Sequence, residues 1–148
     1  MADISATING RVMTSDESCS IRIELVFNLD DPYAVHLLIP DGEVTVDWII
    51  SIELFTQALE MPDTSVGDCD AGDVSTELIR GLWRRRSAKF LIALHPRTEE
   101  ETKAVCVCLP ASEVAQFIAL ALDASTERVK DDAFGVFFKK LEAFLAEW

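Results

Sequence analysis

At 148 residues, 49% hydrophobic and 26% charged, the chain is long enough to bury a core and too apolar to stay disordered. Its net charge of −13 opposes nucleic acid and anionic lipid at long range, and no apolar run is long enough to span a bilayer as a helix. Asp3 stands where a secretion signal would carry positive charge, so a cytoplasmic protein is expected.

Ile4, Ala6 and Ile8 alternate with polar residues, and Ile21, Ile23, Leu25 and Phe27 do the same against Ser20, Arg22 and Glu24. Each run predicts a strand with one buried face. Pro32 fixes φ and lacks an amide donor, so the third strand is expected to begin only after it. Tyr33 to Pro40 then alternates, Asp41-Gly42 turns the chain, and Val44, Val46, Trp48 and Ile50 share a face, which predicts a β-hairpin. Ser51 is placed to cap the helix that follows, with Glu53 in its first turn and Pro62 beyond its end. Leu54, Phe55, Ala58 and Leu59 form its apolar stripe.

Residues 61–73 read as a turn-rich acidic loop, and strands resume over 74–79, 89–95 and 103–109. Ser112 is the expected N-cap of a second helix, whose residues 114–122 are apolar nearly all round and so predict burial on more than one side. At the end of the chain Phe134, Phe137, Phe138, Leu141, Phe144, Leu145 and Trp148 recur at three- and four-residue steps, opposite Lys139, Lys140, Glu142 and Glu147. This predicts an amphipathic helix over about 126–148. An apolar stripe of that size rarely faces water, so it forms either a core contact or an oligomer seam. The whole reads as α+β, with two antiparallel β-sheets packed with helices in a single domain, 1–148, whose core spans about 4–122.

Cys106 and Cys108 point the same way along a strand, and two small buried apolar residues explain them more simply than half a metal site does. No second Cys or His pair has zinc-ligand spacing. Asp63, Asp68, Asp70 and Asp73 do not make a calcium loop. Counted from Asp68, the sixth and twelfth places hold Asp73 and Ile79 instead of glycine and glutamate. The nucleophile-elbow, P-loop and Rossmann patterns are missing as well, and the two histidines read as a strand residue, His36, and a turn residue, His95. The expectation is a protein that is not an enzyme and has no cofactor and no metal.

Arg80-Gly81-Leu82-Trp83-Arg84-Arg85-Arg86-Ser87-Ala88-Lys89 carries five positive charges and no negative one, on an otherwise acidic chain. It is open to three readings: a solvated loop, a dock for an acidic protein surface, or a phosphate site with stacking on Trp83. One such cluster neutralises few phosphates, so nucleic acid is the weaker partner.

The segments DPYAVH at 31–36, VTVDW at 44–48, SIELFTQAL at 51–59 and GDV at 72–74 resemble, in that order, the SsgA-like proteins of actinobacteria. The resemblance runs from about Ile4 to about Leu122. It implies a Whirly-like fold, ββββα repeated twice, assembled as a homotrimer. It further implies a non-catalytic regulator of sporulation-specific cell division at the septum. Within that family the SsgB-type member recruits the tubulin-like protein FtsZ, and SsgA helps to place it. FtsZ and another SsgA-like protein are therefore the expected partners. Trp83, Arg84, Arg85, Arg86, Tyr33 and His36 are the candidate partner-binding residues. The alternative is a single-stranded nucleic-acid binding module of Whirly-like fold.

Overall fold

The alternating segments build β1 (Ile4–Met13), β2 (Ser18–Asn28), β3 (Asp31–Asp41) and β4 (Val44–Ser51), followed by α1 (Ile52–Glu60). A second series follows: β5 (Val66–Gly67), β6 (Val74–Ile79), β7 (Lys89–Leu94), β8 (Val105–Pro110) and α2 (Ala111–Thr126). This is a computed structural model, and it describes residues 3–67, 73–80, 88–95 and 105–126. Among the described residues, no helix is long and apolar enough to cross a membrane.

The strands form one curled antiparallel sheet in the order β4-β3-β2-β1-β8-β7-β6-β5, where two sheets were expected. Two meanders are fused at a short seam, at which Arg11, Val12 and Met13 pair with Cys108, Val107 and Cys106. That pairing satisfies backbone groups that two separate sheets would leave as unpaired edges. Gly10 borders the seam. A Cβ there would come within 2.8 Å of the Cys108 carbonyl oxygen, so a residue without a side chain permits the close approach.

The inner face of the sheet carries Ile23, Leu25, Val35, Leu37, Ile92 and Val107, all fully buried. Both helices pack into this face. The Ser51 hydroxyl accepts the Glu53 amide at 3.3 Å and so caps α1. Ile52, Phe55, Ala58 and Leu59 are buried, and Leu54 sits half-buried at the edge of the stripe. α1 follows the first meander and touches β3 and β4, and it reaches across to pack on the second as well. Phe55 stacks on Phe90 of β7 with centroids 5.4 Å apart, and the buried Thr76 hydroxyl of β6 donates to the Leu54 carbonyl at 2.6 Å.

Several expectations are corrected. The third strand begins at Asp31, before Pro32. The register shifts at Phe27/Asn28, so that Asn28 pairs with Asp31 and Phe27 with Val35. Pro32 thus lies in a bulge between those pairs, where no ladder hydrogen bond is asked of it. The acidic loop contains β5, whose Val66 and Gly67 pair with Thr76 and Ser75. Ser112 is not a cap, because β8 runs straight into α2, which begins at Ala111. The Ala111 amide extends the strand ladder by donating to the Ala88 carbonyl at 3.1 Å. Finally, α2 is buried on one broad face, through Val114, Ala115, Ile118, Ala121 and Leu122, while Leu120 on the opposite side is exposed.

Candidate partner-binding face

The hairpin β3–β4 is set by its turn. Asp41 pairs with Val44 across Gly42-Glu43, and Gly42 has φ of 65°, which a glycine in the first central place of a two-residue turn supplies without strain. That register places Val35 opposite Ile50 on the inner face, and His36 opposite Ile49 on the outer face. The next outer pair is Leu38 with Asp47. The His36 ring therefore lies diagonally across from the Asp47 carboxylate, and its Nδ1 is 3.0 Å from both Oδ1 and Oδ2. A carboxylate only accepts, so Nδ1 carries the proton and donates. The imidazole is held by Asp47 on the outer face, where its strand partner Ile49 is 63% exposed. Val26 pairs with His36 from the β2 side, and Glu24 with Leu38.

The segment 31–36 divides its labour residue by residue. Asn28 Oδ1 accepts the Asp30 amide at 2.8 Å and tightens the turn that leads into it. Ala34 and Val35 are buried, His36 is paired with Asp47, and Tyr33 in the bulge is left 66% exposed. A phenol that projects from an irregular strand end is free of packing duty, which suits it to a contact with another molecule. Strand alternation separates Tyr33 from His36, so the two form adjoining contacts and not one cluster.

Of the cationic segment, Arg80, Ala88 and Lys89 are described; Trp83, Arg84, Arg85 and Arg86 lie outside the described residues. Its first residue is anchored. Asp63 has φ of 60°, and its amide donates to the Leu78 carbonyl at 2.7 Å. Its carboxylate accepts the Arg80 amide at 3.2 Å and the Arg80 Nε–H at 2.9 Å. Those bonds hold the Asp63 carboxyl below the usual carboxylate range, the backbone bond most of all. Phe134, Phe137, Phe138, Leu141, Phe144, Leu145 and Trp148 also lie outside the described residues.

Cys106 and Cys108 share the outer face of β8 and are half-buried, where burial was expected. Desolvation pushes the Cys106 thiol up, and Cys108 beside it adds to the effect, so Cys106 is a poor nucleophile. Among the described residues, no group of three His, Cys, Asp or Glu side chains could hold a metal ion. His95 follows β7. Its amide donates to the Asp73 carbonyl at 3.0 Å, and its ring nitrogen Nε2 is 3.5 Å from the Ser75 hydroxyl. The sequence reading left Asp47 and Ile49 out of the site. The turn lies at Gly42-Glu43, one residue later than the Asp41-Gly42 expected, and counting outward from it sets Ile49 opposite His36 and Asp47 opposite Leu38.

The sequence profile of the family described as "Streptomyces sporulation and cell division protein, SsgA" matches residues 21–131. A sporulation-specific cell division protein SsgB from Kineococcus radiotolerans is 28% identical over 75 residues, covering 51% of this chain and 41% of that protein. The match thus spans about two-fifths of the relative's length. Two solved structures share the fold. One comes from a study of SsgB mutations that correlate with longitudinal cell division during sporulation of Streptomyces coelicolor. It has a TM-score of 0.64 and 23% identity, and the match covers 83% of this chain and 86% of that one. The other is an SsgA-like sporulation-specific cell division protein from Thermobifida fusca, with a TM-score of 0.63 and 20% identity, covering 99% and 95%.

Proposed function

Because the chain belongs to the SsgA family of sporulation and cell division proteins, we propose that it is a non-catalytic regulator of sporulation-specific division. In this reading it acts at the division septum, helps to position it, and recruits or stabilises the FtsZ ring. The observation that carries the reading is the family match over residues 21–131. A homotrimer, or an assembly with another SsgA-like protein, would multiply a weak single contact by raising the effective concentration at the ring.

The contact is assigned to the outer face of the β3–β4 hairpin. Exposed Ile49 supplies apolar area there and the His36–Asp47 pair supplies direction, while exposed Tyr33 in the neighbouring bulge adds an adjoining contact. The cationic segment that begins at Arg80 provides a second, electrostatic contact suited to an acidic partner. Single-stranded nucleic acid is the competing occupant of that segment. It rests on analogy of fold, and a net charge of −13 opposes it.

Co-sedimentation of the full chain with polymerising FtsZ at physiological salt, with single-stranded DNA as competitor, tests the reading. The expected result is a protein that pellets with the polymer whether or not DNA is present. A protein that ignores the polymer and binds DNA with a steep salt dependence would replace this function with nucleic-acid binding.

A further inference from the structure

The two edges of the sheet are finished differently. β5 ends it with two residues, whereas β4 forms the other edge with eight, in unbroken register with β3. A long, straight edge is a template for another strand, and proteins blunt such edges with proline, lysine or a bulge. Residues 44–51 hold none of these, and their one charge, Asp47, is paired with His36. Pro40 shows which backbone groups of β4 face outward. It lies opposite Thr45 and has no amide to give, so this pair is of the kind that exchanges no hydrogen bonds. Alternation along the ladder makes Leu38–Asp47 and His36–Ile49 the same kind. The amides and carbonyls of Thr45, Asp47 and Ile49 therefore point away from β3, along the edge. Among the described residues, β3 is the only strand beside β4.

The side chains point to the same place. Val44 is 65% exposed and Ile49 63%, and strand alternation puts them on opposite faces. A partner resting on the outer face covers Ile49 and leaves Val44 in water. A strand laid along the edge reaches both faces at once. At the Ile49 end the edge opens on a cleft of about 370 Å³, which runs across to Gly67 of β5 and Val74 of β6.

We propose that β4 takes an extended segment of a partner protein as an added strand, with a basic residue opposite Asp47 and an apolar one opposite Ile49. Residues 31–51 carry four acidic side chains and no lysine or arginine, and Glu53 and Asp73 line the cleft. The charge on this edge therefore selects a basic segment. A second copy pairing edge to edge brings its own acidic residues 41–53 to Asp47 and no lysine or arginine. It meets repulsion where a basic segment meets attraction.

The probe is a fluorescein-labelled peptide, Ser-Ile-Val-Arg-Val-Thr-Ser. Its antiparallel register sets the isoleucine opposite Ile49, the arginine opposite Asp47 and the threonine opposite Thr45. Anisotropy titration with the full chain is expected to give saturable binding that weakens at least about tenfold when glutamate replaces the arginine. N-methylation of the peptide's threonine amide, which faces Thr45, should abolish binding, whereas N-methylation of the valine before it, whose amide faces away, should leave it within about threefold. On the protein, Thr45→Pro removes an outward amide and no bond to β3, and should weaken binding at least about tenfold, while Thr45→Ala stays near the parent. Equal effects of the two N-methylated peptides, or no binding by the parent peptide, would overturn the proposal. An oligomeric parent that sediments as a monomer after Thr45→Pro also overturns it, by assigning the edge to a second copy. The peptide assay contains no FtsZ, so its outcome is independent of whether FtsZ is the partner of the outer face.

Discussion

Ile49 and Ile50 are neighbours in sequence at the end of β4, and the fold uses them for opposite purposes. Ile50 is 1% exposed, opposite Val35 on the inner face, where the helices cover the sheet. Ile49 is turned to the outer face, opposite His36 and within reach of the Asp47 pair. The side-chain period of a strand is two, so the hairpin register alone decides which isoleucine is core and which is surface. The inner face therefore answers for stability. The outer face can change with little cost to the fold, and that leaves it available for a partner.

The largest expected effect sharpens this contrast. Ile50→Ala should destabilise the protein by about 2–5 kcal/mol in chemical denaturation. Ile49→Ala should stay within about 0.5 kcal/mol of the parent. Equal losses would mean that the outer face is packed as tightly as the inner one. Next comes the seam. Gly10→Ala pushes a methyl group toward the Cys108 carbonyl and the Leu109 side chain, and should cost about 1–3 kcal/mol by overpacking. An unchanged denaturation midpoint would show that the two meanders can separate freely at β1–β8.

Ser51→Ala removes the cap acceptor of α1 and should cost about 1 kcal/mol. The smallest effect appears only in acid. The Arg80 bonds lower the folded-state pKa of Asp63, so the carboxylate contributes stability above its unfolded value, and that contribution is lost as pH falls through the folded value. Asp63→Asn should therefore flatten the stability–pH curve below about pH 4. A curve that keeps its slope would show that the Asp63–Arg80 contact is not what anchors the cationic segment.

Local chemistry made part of this legible in advance. The turn at Gly42, the alternation on either side of it, and the Ser51 cap before Pro62 each act within a few residues, and each fixed an element where the sequence pointed. The seam was not legible, because three pairs between Arg11–Met13 and Cys106–Cys108 join residues far apart in the chain, and no local pattern marks them. Pro32 misled because a bulge excused it from the ladder, and Ser112 misled because an extended ladder took over the work of a cap. In the site, Tyr33 and His36 were visible from the sequence, but the partner of His36 needed the register. Asp47 and Ile49 emerge only when β3 and β4 are laid side by side.

The central claim is that the outer face of β3–β4 is the docking surface, and Ile49→Asp tests it most directly. The measurement is the affinity of this variant for FtsZ polymers by co-sedimentation, read beside its thermal midpoint. Binding should weaken at least tenfold, about 1.4 kcal/mol, while the midpoint stays that of the parent. Undiminished binding by a folded Ile49→Asp variant would contradict it and move the contact elsewhere on the molecule.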